Sequence, residues 1–151
     1  MAIRQAIYLY TDGASSGNPG PGGWGAVLVC GELRKELSGG FALTTNNRME
    51  LLAVIKGLEA VRWEGATVHV YSDSTYVVNT VTLGWKRKKN HDLWARFDAL
   101  ASKFDLHFNW IKGHAGHPEN ERCDRLAVAA YSQQGLPPDE GYQPETDNKL
   151  F

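Results

Sequence analysis

The sequence lacks several features that mark secreted and membrane proteins. It has only two cysteines among 151 residues, too few for a disulfide framework, so we expect a reducing, cytoplasmic location. No apolar run approaches the roughly 20 residues that a membrane span requires, and the first residues show no apolar signal core. These absences predict a protein without membrane association, and the length suits one main domain.

A strong excess of basic residues, typical of nucleic-acid-binding proteins, is also missing. Sixteen Lys and Arg face 17 Asp and Glu, so total charge neither supports nor excludes a nucleic-acid partner. The distribution is uneven, because residues 86–89 (KRKK) are all basic whereas the last stretch of the chain is acidic. The basic run can be a solvated loop or a binding patch, and composition does not separate the two.

The apolar pattern predicts an α/β fold with a five-stranded mixed sheet and helices on both faces. Three short β-prone segments separated by turn formers indicate an antiparallel meander, at residues 7–10, 24–30 and 33–41. Helical and strand patterns then alternate, with helices at 47–62, 74–81, 93–103 and 118–134 and strands at 68–71 and 106–111. We expect one folded domain over residues 1–134, which would carry the activity, and a polar, loosely ordered tail over residues 135–151.

Two predicted strands each lead to an aspartate. The segments YTDG (residues 10–13) and YSDS (residues 71–74) place Asp12 and Asp73 after an apolar run. If the strands are parallel neighbours, both side chains lie at the carboxyl edge of the sheet, where α/β proteins bind ligands. Each aspartate can equally begin a turn or cap a helix.

Glu50 lies on the apolar face of the first predicted helix, together with Val54 and Leu58. A charged residue at such a position is costly unless something compensates it, which suggests a functional role. The alternative is a capping box, in which Asn47 caps the helix and Glu50 is its reciprocal acid.

Asp124, in the last predicted helix, is a fourth candidate carboxylate. Converging carboxylates repel one another and are tolerated where divalent cations bind, and oxygen ligands favour Mg²⁺ or Mn²⁺ over zinc. His114, His117 and Cys123 lack the paired spacing of a zinc site.

Five segments together resemble type 1 ribonuclease H of the bacterial type. In the family's order they are YTDG (10–13), GNPGPGG (17–23), TTNNRMEL (44–51), YSDS (71–74) and the block from His114 to Asp124. The resemblance extends to about residue 131 and implies the ribonuclease H-like fold. It also implies two-metal-ion hydrolysis of the RNA strand of RNA–DNA hybrids, with two Mg²⁺ ions in the substrate complex and Mn²⁺ as a possible substitute.

The resemblance also assigns roles by position. It assigns metal binding to Asp12, Glu50, Asp73 and Asp124, and a mobile catalytic role to His114, whereas His117 is expected to be structural. The implied substrate-binding residues are Gly13, Ser15, Asn46, Asn47 and Thr75 for the RNA strand and Asn18 and Thr45 for the DNA strand. Trp85, followed by Lys86 to Lys89, offers an aromatic wall beside positive charge that suits the DNA strand. Trp85 can equally be a core residue. The hybrid is the only partner expected, and the protein is expected to be a monomer without an obligate protein partner.

One departure from the family pattern concerns the basic protrusion. Only residues 86–91 separate Trp85 from Asp92, so the protrusion is shortened or absent and weaker hybrid binding is expected. Two other functions remain open. A hybrid-binding module without turnover is disfavoured by the intact carboxylates, and a DNA-acting nuclease of the same superfold is disfavoured by the NNRME block (46–50) and the His114 loop.

Overall fold

A five-stranded mixed sheet forms the centre of the structure, which the computed structural model describes for residues 5–113 and 116–144. The elements in chain order are β1 (Ile7–Ser15), β2 (Gly20–Cys30), β3 (Leu33–Thr44), α1 (Asn46–Glu59), β4 (Thr67–Ser72), α2 (Thr75–Leu83), α3 (His91–Ala101), β5 (Asp105–Trp110) and α4 (Pro118–Tyr131). The strand order is β3-β2-β1-β4-β5, with an antiparallel β1–β3 meander and with β4 and β5 parallel to β1. The predicted fold class is therefore confirmed.

Helices cover the sheet from both sides because alternate strand residues face opposite ways. On one face, Leu9 of β1 packs directly beneath Gly57 of α1. On the other face, α4 lies on β1, β2 and β3. A Cβ at Gly23 or Gly25 of β2 would come within 2.4 Å of a backbone oxygen of α4, so glycine allows this helix to approach closely.

All three strands of the meander are longer than the sequence predicted, and β3 continues to Thr44 rather than ending at residue 41. β1 continues to Ser15, so Asp12 lies within the strand and pairs with Gly25, rather than in a turn after it. β2 begins at Gly20, inside the glycine-rich segment that the sequence suggested was a turn. Glycine is a weak strand former, and here antiparallel pairing with β1 and β3, together with the packing of Gly23 beneath α4, overrides that preference.

Helix α1 differs from the prediction at both ends. Its N-cap is Thr45, whose hydroxyl accepts the Arg48 N–H at 3.3 Å, so the expected alternative of a capping box from Asn47 to Glu50 is wrong. The helix ends at Glu59 rather than at residue 62. Helices α1 and α4 are 14 residues each, and no helix within the described residues is long and apolar enough to cross a membrane.

Arg48 joins three parts of the chain from the first turn of α1. Its side chain is 2% exposed, and its guanidinium binds Asp92 of α3 through two hydrogen bonds of 2.9 and 2.7 Å. It also binds Asp139, with bonds of 2.8 and 3.1 Å. The paired carboxylates compensate the buried positive charge, which would otherwise be very costly.

The described part of the tail is held against this ion-pair cluster. Asp139 also accepts the Thr44 hydroxyl at 2.7 Å, and the Ala42 N–H donates to the Pro137 carbonyl at 2.8 Å. Residues 137–139 therefore contact both β3 and α1. The remainder of the predicted tail, residues 145–151, lies outside the described residues.

We expect Arg48→Met to lower the free energy of unfolding by about 3–5 kcal/mol, because the substitution leaves the Asp139 carboxylate buried without its charge partner. The matched control is Arg96→Met. Arg96 is 43% exposed and pairs with Glu59 at 3.0 Å, so its loss should cost about 0–1 kcal/mol. Urea denaturation of both variants measures the difference, and equal losses would show that Arg48 has no special role.

Candidate active site

Three carboxylates converge at one edge of the sheet. Asp12 comes from β1, Glu50 from the second turn of α1, and Asp73 follows the last residue of β4. One oxygen of each lies within 4.8 Å of the others. The parallel pairing of β1 with β4 ends at Tyr10 and Tyr71, so both strands deliver their aspartates side by side just beyond it.

Gly13 makes the contact between β1 and α1 possible. Its N–H donates to Glu50 Oε1 and to Asp12 Oδ1, the latter at 2.9 Å. A Cβ on Gly13 would lie 2.3 Å from the backbone nitrogen of Glu50. Only glycine fits there, and the same close approach brings the two carboxyl groups together.

The site is electrostatically unfavourable by itself. Burial raises the pKa of Asp12 to about 7. A hydrogen bond with Glu50 acts against this shift, and the charges of Asp73 and Asp124 add to it. Burial, followed by the hydrogen bond and charge of Asp12, raises the pKa of Glu50 well above its usual range. Without a cation, the pair therefore retains a proton at neutral pH.

The donor set fits a hard divalent cation. The three clustered residues offer only carboxylate oxygens, which Mg²⁺ and Mn²⁺ prefer, and a cation would relieve their mutual repulsion. Asp124 of α4 lines the same cleft of about 440 Å³, although it lies outside the three-residue cluster. Asp124 therefore faces the space in which a cation or a phosphate group would lie.

Several residues that the sequence singled out for substrate binding lie around this cleft. Gly13, Asn46, Asn47 and Thr75 line it. Thr75 begins α2 after the N-cap Ser74, whose hydroxyl accepts the Val77 N–H at 3.1 Å. Ser15 is the last residue of β1.

A second groove runs beside the first. It has a volume of about 970 Å³ and includes the predicted residues Asn18 and Thr45, with Asn47 bordering both grooves. The Asn18 side chain accepts the Asn46 N–H at 3.1 Å, which fixes the loop against the start of α1. Lys88 and Lys89 of the basic run also line this groove, and the tail residues 141–144, which the sequence did not single out, complete its wall.

The basic run divides into two parts. Arg87 binds Asp98 through hydrogen bonds of 2.6 and 2.9 Å, and its guanidinium lies 4.5 Å from the Trp94 ring centroid. It therefore anchors the loop to α3. Lys86 and Lys88 are exposed. Trp85 is 48% exposed, so it is not a core residue.

Of the two histidines that the sequence placed near the site, His114 lies outside the described residues. His117 occupies the N-cap position of α4, where its carbonyl accepts the Glu121 N–H at 2.9 Å.

This chain is similar to known proteins over most of its length. The RNase H family model matches residues 4–132. Proteins named Ribonuclease H from Desulforamulus reducens and Aeromonas hydrophila are 54% and 52% identical to this chain. Their alignments cover 88% and 94% of this chain and 92% and 100% of the relatives, respectively.

Solved structures show the same similarity. The N-terminal RNase H domain of a Mycobacterium tuberculosis protein, solved as a fusion with maltose binding protein, is 32% identical with a TM-score of 0.75. It covers 85% of this chain and 94% of its own. LC11-RNase H1, solved in complex with an RNA/DNA hybrid, is 29% identical with a TM-score of 0.69 and covers 83% and 96%. Since the family model spans most of the chain and relatives above 50% identity match it nearly throughout, the chain belongs to the RNase H family, as its type 1 motifs indicated.

Proposed function

We propose that this protein is an endonuclease that hydrolyses the RNA strand of RNA–DNA hybrids, leaving 5′-phosphate and 3′-hydroxyl ends. The observation that carries the proposal is the cluster of Asp12, Glu50 and Asp73 within 4.8 Å, in a chain of the RNase H family. The proposal includes action as a monomer in the cytoplasm, without an obligate protein partner.

We assign metal binding to Asp12, Glu50, Asp73 and Asp124, with two Mg²⁺ ions in the substrate complex and Mn²⁺ as a substitute. Ions held there would supply the positive charge that activates an attacking water and stabilises the leaving 3′ oxygen. The protein's own contribution is to hold four carboxylates around one cleft, which requires no protein nucleophile. His114 is proposed to assist the water or product departure.

We assign each strand of the hybrid to one of the two grooves. Gly13, Asn46, Asn47 and Thr75 line the acidic cleft, where backbone and amide groups can contact RNA 2′-hydroxyls across a wide minor groove; Ser15 is assigned to the same strand. Asn18 and Thr45 of the second groove, with Trp85 and Lys86, are assigned to the DNA strand. Since Asn47 borders both grooves, it is placed to contact either strand.

The direct test uses an RNA–DNA hybrid labelled on each strand in turn, beside RNA–RNA and DNA–DNA duplexes, with Mg²⁺, Mn²⁺ or EDTA. We expect metal-dependent cleavage of the hybrid's RNA strand alone, and loss of cleavage in Asp12→Asn. Hybrid binding without cleavage under any metal would identify a binding module. Cleavage of the DNA duplex would identify a DNA-acting nuclease of the same superfold.

A second prediction concerns the stability of the metal-free protein. The pKa of Asp12 is raised from 3.8 to about 7 in the folded state, so the folded protein binds more protons than the unfolded chain between these values. Stability therefore falls as pH rises through this window and stays reduced above it. Asp12→Asn removes this penalty, and we expect a gain of about 1–3 kcal/mol at pH 8, or roughly 3–9 °C in Tm, with little gain at pH 4.

Asp105→Asn is the control for this measurement, because the Asp105 side chain is 62% exposed and lies outside the acidic cluster. It should show no comparable pH-dependent gain. Thermal melts in EDTA across pH 4–8 measure both variants. An unchanged or lowered Tm of Asp12→Asn at pH 8 would contradict the electrostatic account of the site.

A third prediction separates the two parts of the basic run. Lys88→Ala should weaken hybrid binding and reduce the slope of log Kd against log salt by about 0.7–1, as expected for one lost phosphate contact. Arg87→Ala should mainly lower Tm, because Arg87 is bound to Asp98 and Trp94. Fluorescence anisotropy at several salt concentrations, with thermal melts, distinguishes the two effects. If the slope of log Kd against log salt for Lys88→Ala equals that of the wild type, Lys88 does not contact the hybrid.

A further inference from the structure

Asp73 is held differently from the other two clustered carboxylates. Asp12 and Glu50 are both buried and both accept the Gly13 N–H. Asp73 is only half-buried and lies one residue beyond the end of β4. Its position therefore depends on whatever fixes the backbone at the end of that strand.

The end of β5 supplies this support. The indole Nε1–H of Trp110 donates to the Asp73 carbonyl at 3.0 Å. The next residue, Ile111, donates its N–H to the Ser72 carbonyl at 3.0 Å. Two successive carbonyls are thus fixed from the end of the neighbouring strand, which restrains the peptide planes on both sides of the Asp73 Cα.

Gly113 lies against the carboxylate of Asp73. A Cβ on Gly113 would lie 2.5 Å from Asp73 Oδ2, so the chain passes directly against this ligand atom. The backbone φ of Gly113 is not in the left-handed region that favours glycine. A side chain at this position would therefore displace the Asp73 carboxylate without straining the backbone.

We propose that Trp110 and Gly113 are positioning residues of the metal site, which hold the backbone and the carboxylate of Asp73 in the orientation that cation binding requires. The inference rests on the proposed metal dependence. Neither residue needs to touch metal or substrate. Groups behind a metal ligand fix its orientation, and their loss typically weakens metal affinity by 10- to 100-fold.

The test is isothermal titration of the metal-free protein with Mg²⁺, together with thermal melts in EDTA. Trp110→Phe keeps an aromatic ring and removes the N–H donor, and we expect its Kd for Mg²⁺ to rise by about tenfold. Gly113→Ala places a methyl group against Asp73 Oδ2 and should raise the Kd similarly, by a route that keeps the Trp110 ring. The matched control is Ser132→Ala, which removes a 2.7 Å side-chain bond to the Val128 carbonyl at the far end of α4; its Kd should be unchanged.

The possible outcomes distinguish the positioning role of Trp110 and Gly113 from the proposed metal dependence. Weakened Mg²⁺ binding in both site variants, beside a normal Kd in the control, supports the positioning role. If Trp110→Phe and Gly113→Ala lower Tm but bind Mg²⁺ as the wild type does, the residues are merely structural and the inference is overturned. Absence of Mg²⁺ binding in the wild type itself would overturn the proposed metal dependence, and the positioning role with it.

Discussion

Asp12 and Glu50 lie buried side by side where β1 passes α1, and the rest of the site is arranged around this contact. Gly13 permits it, because its N–H serves both carboxylates and its missing Cβ lets the strand approach the helix backbone. Burial raises the pKa of both acids, Asp12 raises that of Glu50 further, and burying two adjacent acids costs stability. The fold accepts this cost at the place where a divalent cation would reverse it.

The start of α1 serves both grooves at once. Glu50 points to the acidic cluster, and Arg48, two residues earlier, binds Asp92 and Asp139 beside the second groove. Thr45 caps the same helix and lines the second groove. Since consecutive helix residues point in different directions, one helical turn can hold the metal ligand and the groove wall in a fixed relation. A shift of α1 along its axis would therefore disturb both grooves together.

The sequence predicted most of the fold because its apolar periodicity is clear, and it brought Asp12 and Asp73 together through the expected parallel pairing. Strand ends were harder to predict, because the glycine- and proline-rich segment 20–23 breaks strands in isolation, whereas glycine at position 23 is required here by the packing of α4. The role of Arg48 could not be predicted from local pattern. Its partners lie 44 and 91 residues further along the chain, and only the folded topology brings them together.

The three clustered acids are held in place by different contacts. Some substitutions therefore change the stability of the protein, and others change the geometry of the site. Asp12 and Glu50 are fixed by burial and by Gly13, so changing them alters the cost of folding. Asp73 is more exposed, and its place is set by the neighbouring strand through Trp110. A substitution at β5 can therefore change the arrangement of oxygen ligands without removing a buried charge. In this protein, the burial of Asp12 and Glu50 makes a bound cation electrostatically favourable, and the end of β5 fixes the position of Asp73, the third proposed ligand.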